Sequence, residues 1–394
     1  MTYRTYPTVK ELAYNPVPKP ECKKEQWKLY NEMWEEQVRG KGIKMFCDWA
    51  GAPLKACIVG DPFSIYGPDI ESPELKSLFA DNTDEEFKAT MERRANKPLK
   101  ETDPELFDKI VNEIDARDDA YEKEGVIIIR NKLGWYPDEI INYNAAWGGS
   151  KFLSIYGGGY WITVGNLWAG AKSPGVYGQE SAAQAAVAAI LQEDPNSRMY
   201  QCATKEPDPT AASGGLFGVD QADWRVFPNK HIVWHYATAN AEDCSEDIDP
   251  YIVSGGTPKG RDVYGRVFED YGYTSETVWF DSKLTYHHDC LHMNLVDGMC
   301  GLPDVEGYGY HGKLPDAIKD WKILPIPLEE QQMGAMNGVT TGTGKYFIDS
   351  RCVKSMEILR ENGIEPIPVP YETIWEMFHS GIDCSDSSIW REYD

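Results

Sequence analysis

The sequence contains no apolar run approaching the roughly 18 residues that cross a membrane. Its opening, Met1-Thr2-Tyr3-Arg4-Thr5-Tyr6-Pro7, lacks the apolar core of a secretion signal. A cytoplasmic chain without membrane contact is the expectation. Nine widely scattered cysteines include no Cys-x-x-Cys pair, which fits reduced thiols better than a disulfide framework or a structural zinc site. Basic charge is scarce, with 39 Lys and Arg against 63 Asp and Glu for a net charge of -24. Such a field repels phosphate backbones and anionic membrane surfaces, and so argues against nucleic acid and lipid headgroups as partners. The triplet Gly157-Gly158-Gly159 is followed neither by Gly-Lys-Ser/Thr nor by a helix start. It reads as the turn of a hairpin between strands at 152–156 and 160–164 rather than as a phosphate cradle.

What is present suffices for a sizeable core: 394 residues, of which 42% are hydrophobic and 12% aromatic. Residues 1–50, rich in Pro, Lys and Trp, read as an N-terminal arm, and 51–394 as a single domain. The first strand is 54–59, stopped at Gly60, and the acidic stretch up to about residue 104 reads as an insertion. From Pro104, residues Leu106, Ile110, Ile114 and Tyr121 recur at helical spacing, Glu124-Gly125 ends the helix, and 126–129 forms a buried strand. The same grammar returns when Val353, Met356 and Leu359 precede Asn362-Gly363 and a strand at 364–369. The two echoes predict a repeated α/β module. Residues 179–192 are Ala-rich and helical, and 194–230 form a long Pro/Gly/Asp-containing stretch suited to covering a site.

Three segments carry candidate chemistry. In 286–296, three of the seven histidines fall within six residues, as His287-His288-Asp289-Cys290-Leu291-His292. A metal site would use these residue types. Read as a strand, however, the segment puts 287 and 289 on one face and 288 and 292 on the other, so the histidines do not converge. A His287-x-Asp289 pair remains, suited to proton transfer beside a cation. An ordinary strand with a hydrogen-bonded histidine competes with that reading. The second segment is Ser380-Gly381-Ile382-Asp383-Cys384, small residues after an amphipathic helix. Substrate could approach Cys384 closely there, and a helix starting after it would lower the thiol pKa. A core cysteine is the alternative. The third is Glu246-Asp247-Ile248-Asp249, acidic residues running into an apolar strand at 251–253. A merely solvated loop is its alternative.

Taken in order, an acidic residue before a strand, a His-x-Asp and a Gly-x-x-Cys resemble the catalytic layout of the pentein superfamily. Its amidinotransferases, deiminases and related hydrolases fold as a five-bladed α/β propeller of repeated ββαβ-type modules around a central site. The nearest resemblance is to the glycine amidinotransferases, through Pro53-Leu54-Lys55-Ala56-Cys57-Ile58-Val59-Gly60, Gly260-Arg261-Asp262-Val263-Tyr264, His287-His288-Asp289, Met336-Asn337 and Ser380-Gly381-Ile382-Asp383-Cys384.

The resemblance implies Cys384 as nucleophile, His287 as general acid/base, and Asp249 and Asp289 as carboxylates gripping a guanidinium, with Glu246 or Asp247 as alternatives to Asp249. Asn337 and Asn144 join Asp289 as substrate-binding residues. The implied activity moves an amidino group from a small guanidino donor to an amine acceptor, with hydrolysis or deimination on the same scaffold as the alternative. It needs no cofactor and no metal, and is compatible with a homodimer. Three departures stand out. Trp147-Gly148-Gly149-Ser150-Lys151 replaces the usual Pro-Arg-Asp, leaving Asn142 or Asn144 to offer neutral hydrogen bonds; only Lys313 stands where an arginine is expected; Asp383 precedes the cysteine where histidine is common.

Overall fold

A computed structural model of the chain describes residues 28, 31–32, 34–60, 65, 85–95, 97–130, 161–171, 180–202, 222, 224–248, 257–285 and 287–393. Within them, one connectivity recurs in five sheets. Each has a first strand antiparallel to a second and a third strand parallel to the second. Parallel neighbours require a crossover, and a helix usually supplies it.

The short strand β1 (Phe46–Cys47) precedes β2 (Leu54–Val59), which runs parallel to β3 (Ile127–Arg130) across α1 (Pro104–Lys123). The second sheet pairs β4 (Trp161–Val164) with β5 (Leu167–Ala171), and β5 with β6 (Arg198–Cys202) across α2 (Glu180–Glu193). The third joins β7 (Trp224–Phe227), β8 (His231–Thr238) and, after α3 (Pro258–Asp270), β9 (Thr274–Asp281). The fourth joins β10 (Met293–Val296) and β11 (Met299–Pro303); β12 (Tyr310–His311) crosses to pair with β9 before β13 (Lys322–Ile326) returns parallel to β11. The fifth joins β14 (Val339–Thr340), β15 (Lys345–Asp349) and, after α4 (Val353–Glu361), β16 (Glu365–Val369). The helix α5 (Glu372–Phe378) leads to β17 (Asp386–Arg391), which pairs antiparallel with β2 and parallel with β1, and so supplies the first sheet with its antiparallel partner.

The two expected helix-to-strand units are therefore two of four helical crossovers among the described residues, the fourth sheet making its crossover through β12 instead. In α1, Phe107, Ile110, Val111, Ile114 and Tyr121 are buried against β2, β16 and α5, each contributing on the order of 1.5–3 kcal/mol. In α4 the inward residues are Ser355, Met356 and Leu359, while Val353, read as part of the apolar face, is exposed. Strand 161–164 does form a hairpin, but with β5 across Gly165-Asn166. The expected partner at 152–156 and the Gly157–159 turn lie outside the described residues, as do 203–221 of the long stretch. Part of the segment read as an N-terminal arm packs into the fold: Ile43, Met45 and Trp49 are buried, and Cys47 exchanges backbone hydrogen bonds with Gly165 at 2.9 and 3.0 Å.

The sheets converge. Leu54 N donates to Thr341 O at 3.0 Å, Thr340 Oγ1 to Leu295 O at 2.7 Å, and Ala50 N to Val226 O at 2.9 Å, tying the first sheet to the fifth and third, and the fifth to the fourth. A cavity of about 680 Å³, counted with the solvent it opens to, is lined by Ile162, Arg225, Asn294, Val339 and Ser387 among others, one strand from each sheet.

Between this cavity and α1 runs a buried polar network. Arg117 Nη1 donates to Ser385 O at 2.9 Å and to Ser385 Oγ at 2.6 Å, and the guanidinium holds Asp118 Oδ1 through two further bonds at 2.8 and 3.0 Å. Arg130 pairs with the other carboxylate oxygen of Asp118. Tyr121 donates to Asp386 Oδ2 at 2.5 Å and Tyr371 to Ser385 Oγ at 2.5 Å.

Removing one member of a buried ion pair strands the other. Arg117→Met is expected to cost about 3–5 kcal/mol, read as a lowered denaturant midpoint; an unchanged midpoint would refute the role given to the network. Burial, reinforced by the nearby Asp383 carboxylate, pushes Asp386 up to about 7 despite the Tyr121 hydroxyl and two arginines. The folded chain then holds this proton more tightly than the unfolded chain, so its contribution to stability falls as pH rises from about 4 to about 7. Asp386→Asn is expected to flatten that part of the stability profile, and an unaltered slope between those pH values would contradict the assignment.

Candidate active site

The turn after α5 is built to present a sulfur. His379 closes the helix in a left-handed conformation (φ 48°) and Ser380, Gly381 and Ile382 are buried. A Cβ on Gly381 would lie 2.6 Å from the backbone carbonyl oxygen of Asn337, closer than atoms pack, so only glycine permits this approach. The payoff is a clamp on Cys384. Asn337 O accepts from Asp383 N at 3.1 Å, and Asn337 Oδ1 accepts from Cys384 N at 3.1 Å. A backbone N–H can only donate, so the oxygen of the carboxamide must face it and the NH₂ must face the sulfur. Asn337 Nδ2 indeed lies 3.2 Å from Cys384 Sγ and 3.3 Å from Cys290 Sγ.

On its other side, Cys384 Sγ donates to Asp289 Oδ2 at 3.1 Å. Asp289 is buried and lines the cavity, and its second oxygen has no hydrogen-bond partner among the described residues. Cys290, burial and the Asp289 carboxylate together hold the Cys384 thiol well above the ordinary thiol range. The sulfur is thus protonated at rest.

The chain beyond Cys384 forms a strand, in place of the helix expected to lower the thiol pKa. Ser387, Ile389 and Arg391 belong to β17, drawn into antiparallel pairing with β2, so no dipole of a following helix acts on the thiol. Tertiary pairing overrides the local preference of a short polar stretch.

The His-rich segment also departs from its strand reading. Residues 288–290 form a single 3₁₀ turn with His287 extended just before it, and β10 begins only at Met293. The turn lets Cys290 N reach back to His287 O at 3.3 Å, which a strand could not do. His287 is half-buried, two residues from Asp289. His288 and His292 fold inward with His235: the rings of His288 and His235 stack, those of His288 and His292 are 5.1 Å apart, and His288 Nε2 lies 3.1 Å from Tyr310 Oη. Burial depresses both, with neighbouring rings and Arg225 adding to the effect on His288 and Arg225 to that on His292, which falls to about 3; both are neutral at physiological pH. Among the described residues, no group of three or more His, Cys, Asp or Glu could hold a metal ion.

The structure therefore brings Cys384, Asp289 and Asn337 into direct contact. Asn337 was expected to bind substrate, yet it commits its carboxamide to Cys384 and the Cys290 sulfur. Asp249, Asn142, Asn144 and the 147–151 departure lie outside the described residues. Of the alternatives to Asp249, Glu246 is exposed and pairs with Arg261 at 2.7 Å, and Asp247 is exposed. Lys313 is exposed and paired with Asp316 at 2.8 Å.

Arg225 escaped the sequence reading. It pairs with Asp383 at 2.8 Å at the cavity wall; burial and Asp289 push the Asp383 carboxyl up while Arg225 opposes them. The signal was a charged residue between the aromatic and apolar neighbours of Trp224-Arg225-Val226-Phe227. The Asp383 departure finds its physical partner here.

No protein-family model matches the chain, and no curated protein sequence matches it. Solved structures do. An amidinotransferase of the saxitoxin biosynthetic pathway from Microseira wollei superposes with a TM-score of 0.64 at 16% identity, over 89% of this chain and 98% of its own. Inosamine-phosphate amidinotransferase from Streptomyces griseus gives 0.59 at 14%, over 90% and 98%. A dimethylarginine dimethylaminohydrolase gives 0.50 at 11%, over 85% and 99%. Likeness at such identities carries the fold rather than the chemistry, and on it the chain shares the α/β fold of these solved structures.

Proposed function

We propose that the chain is an amidinotransferase, moving an amidino group from a guanidino donor to an amine acceptor through a covalent intermediate on Cys384. The observation that carries this reading is the contact of Cys384 Sγ with Asp289 Oδ2 at 3.1 Å beside a cavity lined by all five sheets. The five sheets are read as blades of a closed propeller, and Asp289 and Asp249 as the grip on the guanidinium, with Asn144 adding neutral hydrogen bonds.

A guanidinium carbon is deactivated by resonance, so attack needs a thiolate and departure needs a proton donor. Without a bound cation, Cys290, burial and the Asp289 carboxylate together keep the sulfur protonated. A guanidinium seated against Asp289 cancels that charge and lowers the thiol pKa, so thiolate forms where substrate already sits. The proton passes to His287, the sulfur adds to the central carbon, and the amine leaves as His287 returns the proton. Cys384 then carries the amidino group, and an acceptor amine displaces the sulfur. Asn337 acts as a positioning residue, fixing the sulfur through its NH₂ and its hold on Cys384 N.

Water in place of the amine gives hydrolysis with the same residues. The fold likeness to a dimethylarginine dimethylaminohydrolase keeps that as the second reading.

Incubation with a panel of guanidino compounds is expected to add about 42 Da to Cys384, the mass of an amidino group replacing the thiol proton. Product should depend on added amine, and Cys384→Ser should abolish the adduct and lower turnover on the order of 10⁴-fold or more. Product formed equally without amine would replace transfer by hydrolysis, and turnover retained by Cys384→Ser would end both readings. The resting thiol is also expected to react slowly with iodoacetamide, its rate still climbing at pH 9, and Asp289→Asn should raise the rate at neutral pH by roughly tenfold for each unit the pKa falls. A wild-type rate that levels off below pH 8 would contradict a protonated resting sulfur.

A further inference from the structure

Cys290 has no part in the chemistry above, yet it is not placed like an ordinary core cysteine. It is buried at the end of the 288–290 turn, directly after Asp289. One amide nitrogen, Asn337 Nδ2, reaches both its sulfur, at 3.3 Å, and that of Cys384, at 3.2 Å. The proximity is felt chemically, since each thiol is the leading influence on the proton affinity of the other. Both cysteines sit in turns, not in regular strands or helices. To bond, the sulfurs close to about 2 Å while the Asn337 NH₂ releases both.

We propose that Cys290 is a resolving thiol for Cys384, so that the pair forms a reversible disulfide when a hydroperoxide reaches the site. The Cys384 thiolate attacks one peroxide oxygen, the O–O bond breaks, and the alkoxide or hydroxide leaves and is protonated, giving a sulfenic acid. The Cys290 sulfur then attacks the sulfenyl sulfur, the S–O bond breaks, and the departing hydroxide takes the Cys290 proton as water. Two thiols and one hydroperoxide become one disulfide, one alcohol or water, and one further water. The peroxide is reduced and the two sulfurs are oxidised.

The consequence is protection. A sulfenic acid that meets a second hydroperoxide is oxidised to sulfinic acid, the peroxide being reduced to alcohol or water, and ordinary thiols do not reverse this, whereas a disulfide returns to free thiols on reduction. The raised pKa of the resting thiol makes the first step slow, so the pair responds to sustained oxidation or to a site in which thiolate has been generated.

The test uses the full chain, hydrogen peroxide at about pH 8.5, intact mass and peptide mapping. Wild type is expected to lose about 2 Da, to yield a cross-linked peptide pair containing Cys290 and Cys384, and to recover both free thiols with dithiothreitol. Cys290→Ser is expected instead to gain about 32 Da at Cys384, not reversed by dithiothreitol. Wild type that reaches sulfinic acid at Cys384 as fast as Cys290→Ser, or that joins Cys384 to a different cysteine, would overturn the proposal. Should Cys290→Ser fail to fold, wild type alone decides: loss of the free Cys384 thiol without the cross-linked peptide refutes it. No arm reads turnover, so the outcome is independent of whether the amidino-transfer reading stands.

Discussion

The arrangement of the site depends on one buried cation, Arg117. Its guanidinium sits between α1 and the residue after Cys384, bonded to the carbonyl and hydroxyl of Ser385 and charge-balanced by Asp118. Ser385 Oγ also accepts from Tyr371 and donates to Ile382 O at 2.8 Å, so the turn carrying Cys384 is fastened to helix, strand and itself at one point. Such a group is costly to bury and is tolerated only when every donor is satisfied. The return is rigidity: the turn 382–385 cannot shift without breaking several charge-assisted bonds together.

With the backbone fixed in this way, electrostatics decides the state of the sulfur. Most surroundings that activate a cysteine place a positive charge or a helix N-terminus beside it. Here the neighbours are a carboxylate, a second thiol and an amide. The resting site is consequently tuned against thiolate, and Arg225, a cation at the cavity wall, is already engaged by Asp383. A guanidinium is the kind of ligand that would reverse the balance, which is why chemistry and affinity for a cation belong together in the proposed function.

Local signals in the sequence predicted local structure well. The strand Leu54–Val59, the helices at 104 and 353 and the glycines that end them follow from periodicity and capping. The fivefold repetition did not, because the modules share geometry without a fixed sequence period, and their pairing is tertiary. The 286–296 segment was misread for a related reason: its alternation of polar and apolar residues suits a strand, yet the chain bends at 288–290 so that Asp289 meets Cys384 while His288 and His292 turn into the core. The resemblance put Cys384 and Asp289 in one site, but in separate roles; their direct contact was not expected. Nor were Asn337 as a clamp and Arg225 as the partner of Asp383, since neither has a local motif to announce it.

The strand β17 pairs with β2 more than three hundred positions earlier in the chain. Contacts so distant in sequence are closed late, because the intervening loop entropy must be overcome before they form. Cys384 sits in the turn that leads into this closing strand, so a chain that had not yet made the pairing would hold Asp289 and Asn337 without the sulfur they contact.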